Sequence, residues 1–245
     1  MIELEVCATS VASCIAAEKG GAHRIELCAG LADGGITPSP GFVRQALTKC
    51  SLPIFPIIRP RGGDFLYDDD EIEEMECDIR TFGKMGVAGF VFGILTPDGE
   101  PDLEANARML KAANGRPCTF HRAFDMVLDP MDALEKVVRL GFARILTSGG
   151  RNSALEGVHL LRELTLAARE RIIIMAGAGI RPDNALEVVQ KSGVTALHGT
   201  LQSPLDSRML YRNPAVSMGG GNDSEEYLLR VTDKDKVKSL LAQFR

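Results

Sequence analysis

The chain has 245 residues, of which 45% are hydrophobic and 25% charged, and its formal net charge is −5. This length and balance are typical of one large soluble domain or two small ones. The negative charge argues against nucleic acid as a partner, and the lack of a long apolar run argues against a membrane span.

The N-terminus and the cysteines favour a cytoplasmic protein. The first residues, MIELEVCATS, read as a strand and lack the basic and then apolar pattern of a secretory signal. The six cysteines are scattered along the chain, and none forms a CxxC pair. We therefore interpret them as reduced thiols rather than as a disulfide framework.

Short apolar runs alternate with segments of helical spacing. The predicted strands lie at 2–7, 24–28, 54–58, 89–93, 118–122, 144–148, 172–177 and 195–199. The predicted helices lie at 10–19, 39–50, 69–85, 102–113, 130–140, 153–169 and 182–191. Eight β units with intervening helices predict an α/β fold of the (β/α)₈ TIM-barrel type. An open doubly wound sheet is the alternative, although no GxGxxG follows the first strand.

No linker divides the chain, so we expect one domain over 1–245. The barrel would occupy about 1–200 and a C-terminal extension 201–245, with a Gly- and Asn-rich loop at 219–222 and an amphipathic stretch at 233–244. The acidic run YDDDEIEEMECD at 67–78 is interpreted as a helix start, because carboxylates favour the positive end of a helix.

The first two strands carry the same pattern, LEVCA at 4–8 and IELCA at 25–29. The outer face of a barrel strand meets the helices and must be apolar. Alternation therefore directs Glu5 and Cys7, and likewise Glu26 and Cys28, into the barrel. The two thiols would lie on neighbouring strands near the C-terminal mouth, where barrel enzymes have their active sites.

The same alternation brings further polar side chains to the mouth. Strand 3 ends at Arg59, strand 5 directs His121 inward, and strand 8 does the same with His198. Buried carboxylates need a partner or become neutral. The expected partners of Glu5 and Glu26 are Arg59, Arg61, Arg122 and His121.

One chemistry open to this mouth is metal binding. Paired thiolates suit a soft ion of low coordination number, and Cu(I) is the obvious case. Structural Zn²⁺ normally takes four ligands, and the sequence alone does not assemble them. The predicted metal ligands are Cys7 and Cys28, with copper as the tentative cofactor.

The other chemistry is enzymatic. MAGAGIRPDN at 175–184 places Gly177 and Gly179 between a strand and a helix, where backbone N–H groups can hold a phosphate or carboxylate. No lysine ends a strand, so Schiff-base chemistry is disfavoured. Ser148 and Arg61 would add anion donors. The acid, base and cation of such an enzyme would be Glu26, His121 and Arg59.

A third interpretation is a barrel whose polar interior serves only structure or partner binding. The expected partner of the mouth is a copper ion or a small phosphorylated or carboxylated metabolite. A homo-oligomer is compatible with every one of these interpretations, and the sequence does not decide whether the protein is an enzyme.

Several stretches together resemble one family. They are EVCATS, GGAHRIELCAG, GGITPSPG, IRPRGGDFLYDDDEIEEM, CTFHRAFDMVLDPMDALE, RILTSGGRNSALEG and YRNPAVSMG. They resemble the CutC family of copper homeostasis proteins, from the first strand to about Thr232. The resemblance implies a cytoplasmic (β/α)₈ barrel linked to copper tolerance or Cu(I) binding. In the family's animal members the proposed Cu(I) ligands are two cysteines that match Cys7 and Cys28.

Overall fold

A computed structural model describes residues 2–213, 215–216 and 226–244 of the chain. The Gly- and Asn-rich loop predicted at 219–222 lies outside the described residues. The barrel strands are β1 (Glu3–Ala8), β2 (Arg24–Leu27), β3 (Ile54–Pro56), β4 (Phe90–Phe92), β5 (Cys118–Phe120), β6 (Arg144–Thr147), β7 (Ile173–Ala176) and β8 (Ala196–Gly199). The helices that follow them are α1 (Val11–Gly20), α2 (Pro40–Lys49), α3 (Asp69–Met85), α4 (Leu103–Ala113), α5 (Pro130–Leu140), α6 (Val158–Ala168) and α7 (Ala185–Ser192).

The eight strands form one parallel sheet in the order β3-β2-β1-β8-β7-β6-β5-β4. The two ends of this order meet, because Ile57 forms a parallel bridge with Val91 and the N–H of Ile58 donates to the carbonyl of Val91 at 2.8 Å. The predicted TIM barrel is therefore confirmed, and the open doubly wound sheet is wrong.

The acidic run begins a helix, as predicted. Asp68 caps α3 by accepting from the N–H of Glu71, and the side chain of Glu71 accepts in return from the N–H of Asp68. This reciprocal capping satisfies two backbone donors that the first helical turn leaves free. The apolar face of α3 is buried against the barrel.

Helix α6 begins five residues later than predicted. A Cβ atom on Gly157 would lie 1.9 Å from the carbonyl oxygen of Ser148, so the chain passes very close to the end of β6 at this point. Residues 153–157 form turns around this close approach, and the helix starts at Val158.

The C-terminal segment contains an antiparallel pair, β9 (Gln202–Asp206) and β10 (Leu228–Thr232), followed by α8 (Lys234–Ala242). Helix α8 packs against α1 so closely that a Cβ atom on Gly20 would lie 2.5 Å from Cβ of Val237. It thereby supplies the eighth helix of the barrel layer. Among the described residues, no helix is both long and apolar enough to cross a membrane.

Candidate functional site

A cavity of about 600 Å³ opens at the C-terminal ends of the barrel strands. Its wall is built by the ends of the strands and by the loops that follow β3, β5, β7 and β8. The lining residues that could bind a ligand or transfer a proton include Cys7, Glu26, Arg59, His121, Gly179 and His198. The alternation of the strands thus brings Cys7, Glu26, Arg59 and His121 to one mouth.

Two thiols meet at this cavity, where Cys7 lines the wall and Cys28 is fully buried beside it. Sγ of Cys7 lies 3.1 Å from Sγ of Cys28, and both side chains are buried. Backbone register explains this contact, since Cys7 is level with Glu26 and Cys28 comes two residues later on the neighbouring strand. The hydrogen bond with Cys28, burial, and the nearby Glu26 raise the pKa of Cys7 well above its usual value. Cys7 is therefore a thiol at neutral pH, and a metal ion has to displace its proton.

Glu5 is completely buried below the thiols and has two partners. Its Oε2 lies 2.5 Å from Nε of Arg24, and its Oε1 lies 2.8 Å from Nδ1 of His198. Burial acts to raise the pKa of Glu5, but Arg24 and His198 outweigh it and lower the pKa to about 2. The predicted partners of this carboxylate were wrong, because the register places Arg24 and His198 level with Glu5 on the two adjacent strands.

His198 connects Glu5 to Glu26. Because Glu5 is ionised, Nδ1 of His198 donates to it, and Nε2 then lies 3.7 Å from Oε2 of Glu26. Burial acts to lower the pKa of His198, but the charge of Glu26 and the hydrogen bond to Glu5 prevail and raise it. Burial raises the pKa of Glu26. The partner predicted for Glu26 was therefore also wrong, since the nearest base is His198.

Three groups with metal-binding atoms converge here. The sulfur of Cys7, a carboxylate oxygen of Glu26 and a ring nitrogen of His198 all lie within 4.8 Å of one another. The sequence predicted each of these side chains to point inward, but it did not predict that Glu26 and His198 belong with Cys7. The shared inward face of three adjacent strands, β2, β1 and β8, was the available signal.

Arg59 is buried and has no carboxylate partner among the described residues. Its two terminal nitrogens donate to the backbone carbonyls of Asp33, Gly35 and Gly63, at 2.6 to 3.0 Å. Its guanidinium also lies 4.9 Å from the ring centroid of Phe65. The side chain therefore holds together the loops after β2 and β3 while forming part of the cavity wall.

Arg61 points away from the cavity. Its Nε lies 2.5 Å from Oε1 of Glu71, and its Nη1 lies 3.0 Å from Oδ1 of Asp64. The side chain is 41% exposed and fastens the loop after β3 to the start of α3. This position leaves Arg61 outside the set of side chains that could reach a ligand in the mouth.

His121 faces the cavity from the opposite side of the barrel. Its Nδ1 accepts from the N–H of Ala123 at 3.3 Å, while its buried Nε2 has no hydrogen-bond partner among the described residues. Burial and the nearby charge of Arg59 lower the pKa of His121 to about 3. The imidazole is therefore neutral at physiological pH.

Of the other residues predicted to bind an anion, Gly179 lines the cavity, whereas Gly177 and Ser148 do not. The N–H of Gly177 donates to the carbonyl of Thr147 at 3.0 Å, and Gly177 does not line the cavity. Ser148 is buried, with its hydroxyl between Arg122 and the carbonyl of Arg151. Gly179 does line the cavity, with φ of +72°, and its N–H donates to no described residue.

Asp125 also lines the cavity, and the sequence did not predict it there. Its carboxylate accepts from the hydroxyl of Thr147 and from the N–H groups of Ser148 and Gly150, and it forms an ion pair with Arg122 at 2.8 Å. It therefore fixes the loop after β6 beside the mouth. The TFHRAFD stretch contains this residue, but spacing alone did not show that its side chain turns toward β6.

Comparison with known proteins supplies two close sequence relatives. A family model described as the CutC family matches residues 2–203. The copper homeostasis protein cutC homolog of Homo sapiens is 49% identical over 98% of this chain and 88% of its own length. A CutC family protein of Porphyromonas gingivalis is 48% identical over 97% of this chain and 96% of its own length.

Solved structures agree with the barrel. The crystal structure of CutC from Streptococcus agalactiae aligns with a TM-score of 0.78 at 37% identity, covering 82% of this chain and 99% of that one. Phosphoribosyl anthranilate isomerase from Thermotoga maritima aligns with a TM-score of 0.55 at 12% identity, over 98% of this chain and 97% of that one. At that low identity the likeness extends to the fold only.

Proposed function

The chain belongs to the CutC family, and from this premise we propose that it acts in copper homeostasis by binding Cu(I) through Cys7 and Cys28. The observation that carries the proposal is the 3.1 Å separation of the two sulfur atoms at the mouth. Soft thiolate ligands select Cu(I) over harder ions, and two of them suffice for an ion of low coordination number.

The surroundings of the thiol pair support this proposal. Both sulfurs are buried, which limits access of water and oxidants to a bound ion. An ion between them would displace the shared hydrogen bond and the thiol protons, so its binding releases protons. A reducing, cytoplasmic location is part of the proposal, because it would keep both thiols available.

The proposal is tested by anaerobic titration of the metal-free protein with Cu(I) against a competing chelator. The double variant Cys7→Ser, Cys28→Ser is expected to lose high-affinity binding. The double variant Cys50→Ser, Cys77→Ser is the matched control and is expected to keep it, because neither thiol lies at the mouth. Equal loss from both variants would mean nonspecific binding by thiols and would defeat the proposal.

A second candidate is an enzyme acting on a small phosphorylated or carboxylated metabolite. The observation that favours it is the cavity of about 600 Å³, which matches small-molecule sites and greatly exceeds the needs of one ion. Arg122, Arg181 and Lys236 also line it, and the N–H of Gly179 donates to none of the residues that the structure describes. These groups would hold the anion near the ends of β7 and β8.

In such an enzyme, Glu26 would transfer protons, because it is buried at the mouth and burial raises its pKa. His121 would take part as the neutral imidazole through its free Nε2, and Arg59 would hold the wall around them. Thermal shift with phosphorylated and carboxylated metabolites tests this candidate. A stabilising ligand should lose its effect in Arg181→Gln and keep it in Cys7→Ser, Cys28→Ser. Silence across a broad panel would count against the enzyme.

A further inference from the structure

The mouth contains a donor set that exceeds what Cu(I) needs. Cys7, Glu26 and His198 each direct one potential ligand atom to the same place, within 4.8 Å of one another. A tetrahedral ion with bonds of ~2.0–2.3 Å needs its donor atoms roughly 3.3–3.8 Å apart. The 3.7 Å between Nε2 of His198 and Oε2 of Glu26 is close to that requirement.

The orientation of His198 also favours a metal site. Its Nδ1 donates to Glu5 at 2.8 Å, which turns Nε2 toward Glu26 and Cys7, where a metal ion would displace any proton that Nε2 carries. Metal-bound histidines commonly donate their second ring nitrogen to a carboxylate, which fixes the tautomer and raises the basicity of the ligand. Glu5 is itself held by Arg24 at 2.5 Å, so the orienting carboxylate is fixed as well.

From these contacts we propose that Cys7, Glu26 and His198 form a three-ligand site for Zn²⁺ or a similar divalent ion, with the fourth coordination position open to the cavity. One sulfur, one imidazole nitrogen and one carboxylate oxygen are the ligand types that Zn²⁺ takes. Three protein ligands with an open position are typical of catalytic rather than structural zinc. The fourth position would accept water or the anionic group of a cavity ligand.

This inference deepens the proposed metal-binding function, but it divides the residues differently. Cys28 contacts Cys7 and lies outside the three-ligand group, so Zn²⁺ does not depend on its sulfur for a bond. In the proposed two-sulfur site Cu(I) depends on both thiolates and gains little from a hard carboxylate. The two ions therefore share Cys7 as a ligand and compete for the same site. Cys28 would bind only copper, and His198 would bind only zinc.

The test measures Zn²⁺ and Cu(I) affinities separately on the full-length, metal-free protein, by anaerobic competition with chromophoric chelators. His198→Gln is expected to weaken Zn²⁺ binding at least ~10-fold and to leave Cu(I) affinity unchanged. Cys28→Ser is expected to do the reverse. Cys77→Ser, at an exposed thiol, is the matched control and should alter neither affinity. If His198→Gln fails to fold, Glu26→Gln takes its place with the same expected result.

A spectroscopic readout accompanies the titrations. Co²⁺ in place of Zn²⁺ should show a thiolate-to-cobalt charge-transfer band that Cys7→Ser removes and Cys28→Ser retains. The inference is overturned if Zn²⁺ affinity is undetectable, if neither His198→Gln nor Glu26→Gln changes it, or if the cobalt band is absent. If the parent protein binds Zn²⁺ but not Cu(I), the copper proposal is overturned and the zinc inference stands.

Discussion

Nδ1 of His198 lies 2.8 Å from Oε1 of Glu5, and both side chains lie inside the barrel. This contact joins strands β8 and β1 directly below the thiol pair. Together with the ion pair between Glu5 and Arg24, it sets the position of the imidazole in the mouth. The carboxylate of Glu5 therefore contributes both to the stability of the barrel and to the position of His198 in the mouth.

Replacing Glu5 by Gln is expected to destabilise the fold by about 3–5 kcal/mol, because it removes the ion-pair partner of the buried Arg24. Urea unfolding measures this change. Glu187→Gln is the control, since Glu187 pairs with Lys191 on the surface, and it should change stability by about 0.5 kcal/mol or less. A cost at position 5 as small as that of the control would show that the buried pair does not support the barrel.

The lowered pKa of His121 should make the free energy of unfolding depend on pH. Its pKa is about 3 in the folded protein, against an ordinary value of 6.5. Between these values the unfolded chain binds a proton that the folded chain does not, so stability is complete above about pH 6.5 and falls as the pH falls toward 3. This residue should account for a loss of about 2 kcal/mol between roughly pH 7.5 and pH 5.

His121→Asn isolates that contribution. An amide does not titrate in this range, and its oxygen can accept from the N–H of Ala123 as Nδ1 of His121 does. The free energy of unfolding of the variant, followed by urea titration at several pH values, should decline less steeply on acidification than that of the parent. Parallel curves would show that the imidazole titrates alike in the folded and unfolded chains.

Replacing glycine by alanine should destabilise the protein at the contact between α1 and α8 and stabilise it at an open position in α2. Gly20→Ala would place a methyl group 2.5 Å from Cβ of Val237 and should cost about 1–3 kcal/mol through overpacking. Gly41→Ala, near the start of α2, meets only Oγ of Ser39 at 3.9 Å and should stabilise, by up to about 1 kcal/mol. Thermal unfolding compares the two. A neutral Gly20→Ala variant would contradict the close packing of α8.

The sequence was sufficient to predict which way the barrel side chains point. Alternation correctly directed Glu5, Cys7, Glu26 and Cys28 inward, because the outer face of every strand must be apolar against the helices. It did not predict which inward residues meet. That depends on the stagger between strands, which places Arg24 and His198 level with Glu5. Arg61 lies outside the mouth because Glu71 and Asp64 hold it in the loop after β3.

Other features depend on contacts between residues far apart in the chain. Strand β9 ends at 206 and its partner β10 begins at 228, so no short turn signals their pairing. Asp125 faces the loop after β6 through a 3₁₀ helix at 122–126, which the strand pattern did not predict. Such contacts follow from packing and not from local periodicity.

The central claim is that Cys7 and Cys28 together hold Cu(I). The most direct measurement is a crystal structure of the Cu(I)-loaded protein, grown anaerobically, with anomalous diffraction data collected on both sides of the copper absorption edge. The account predicts one anomalous peak bonded to the sulfur atoms of Cys7 and Cys28. A copper peak elsewhere, with the two sulfurs still in contact with each other as thiols, would contradict it.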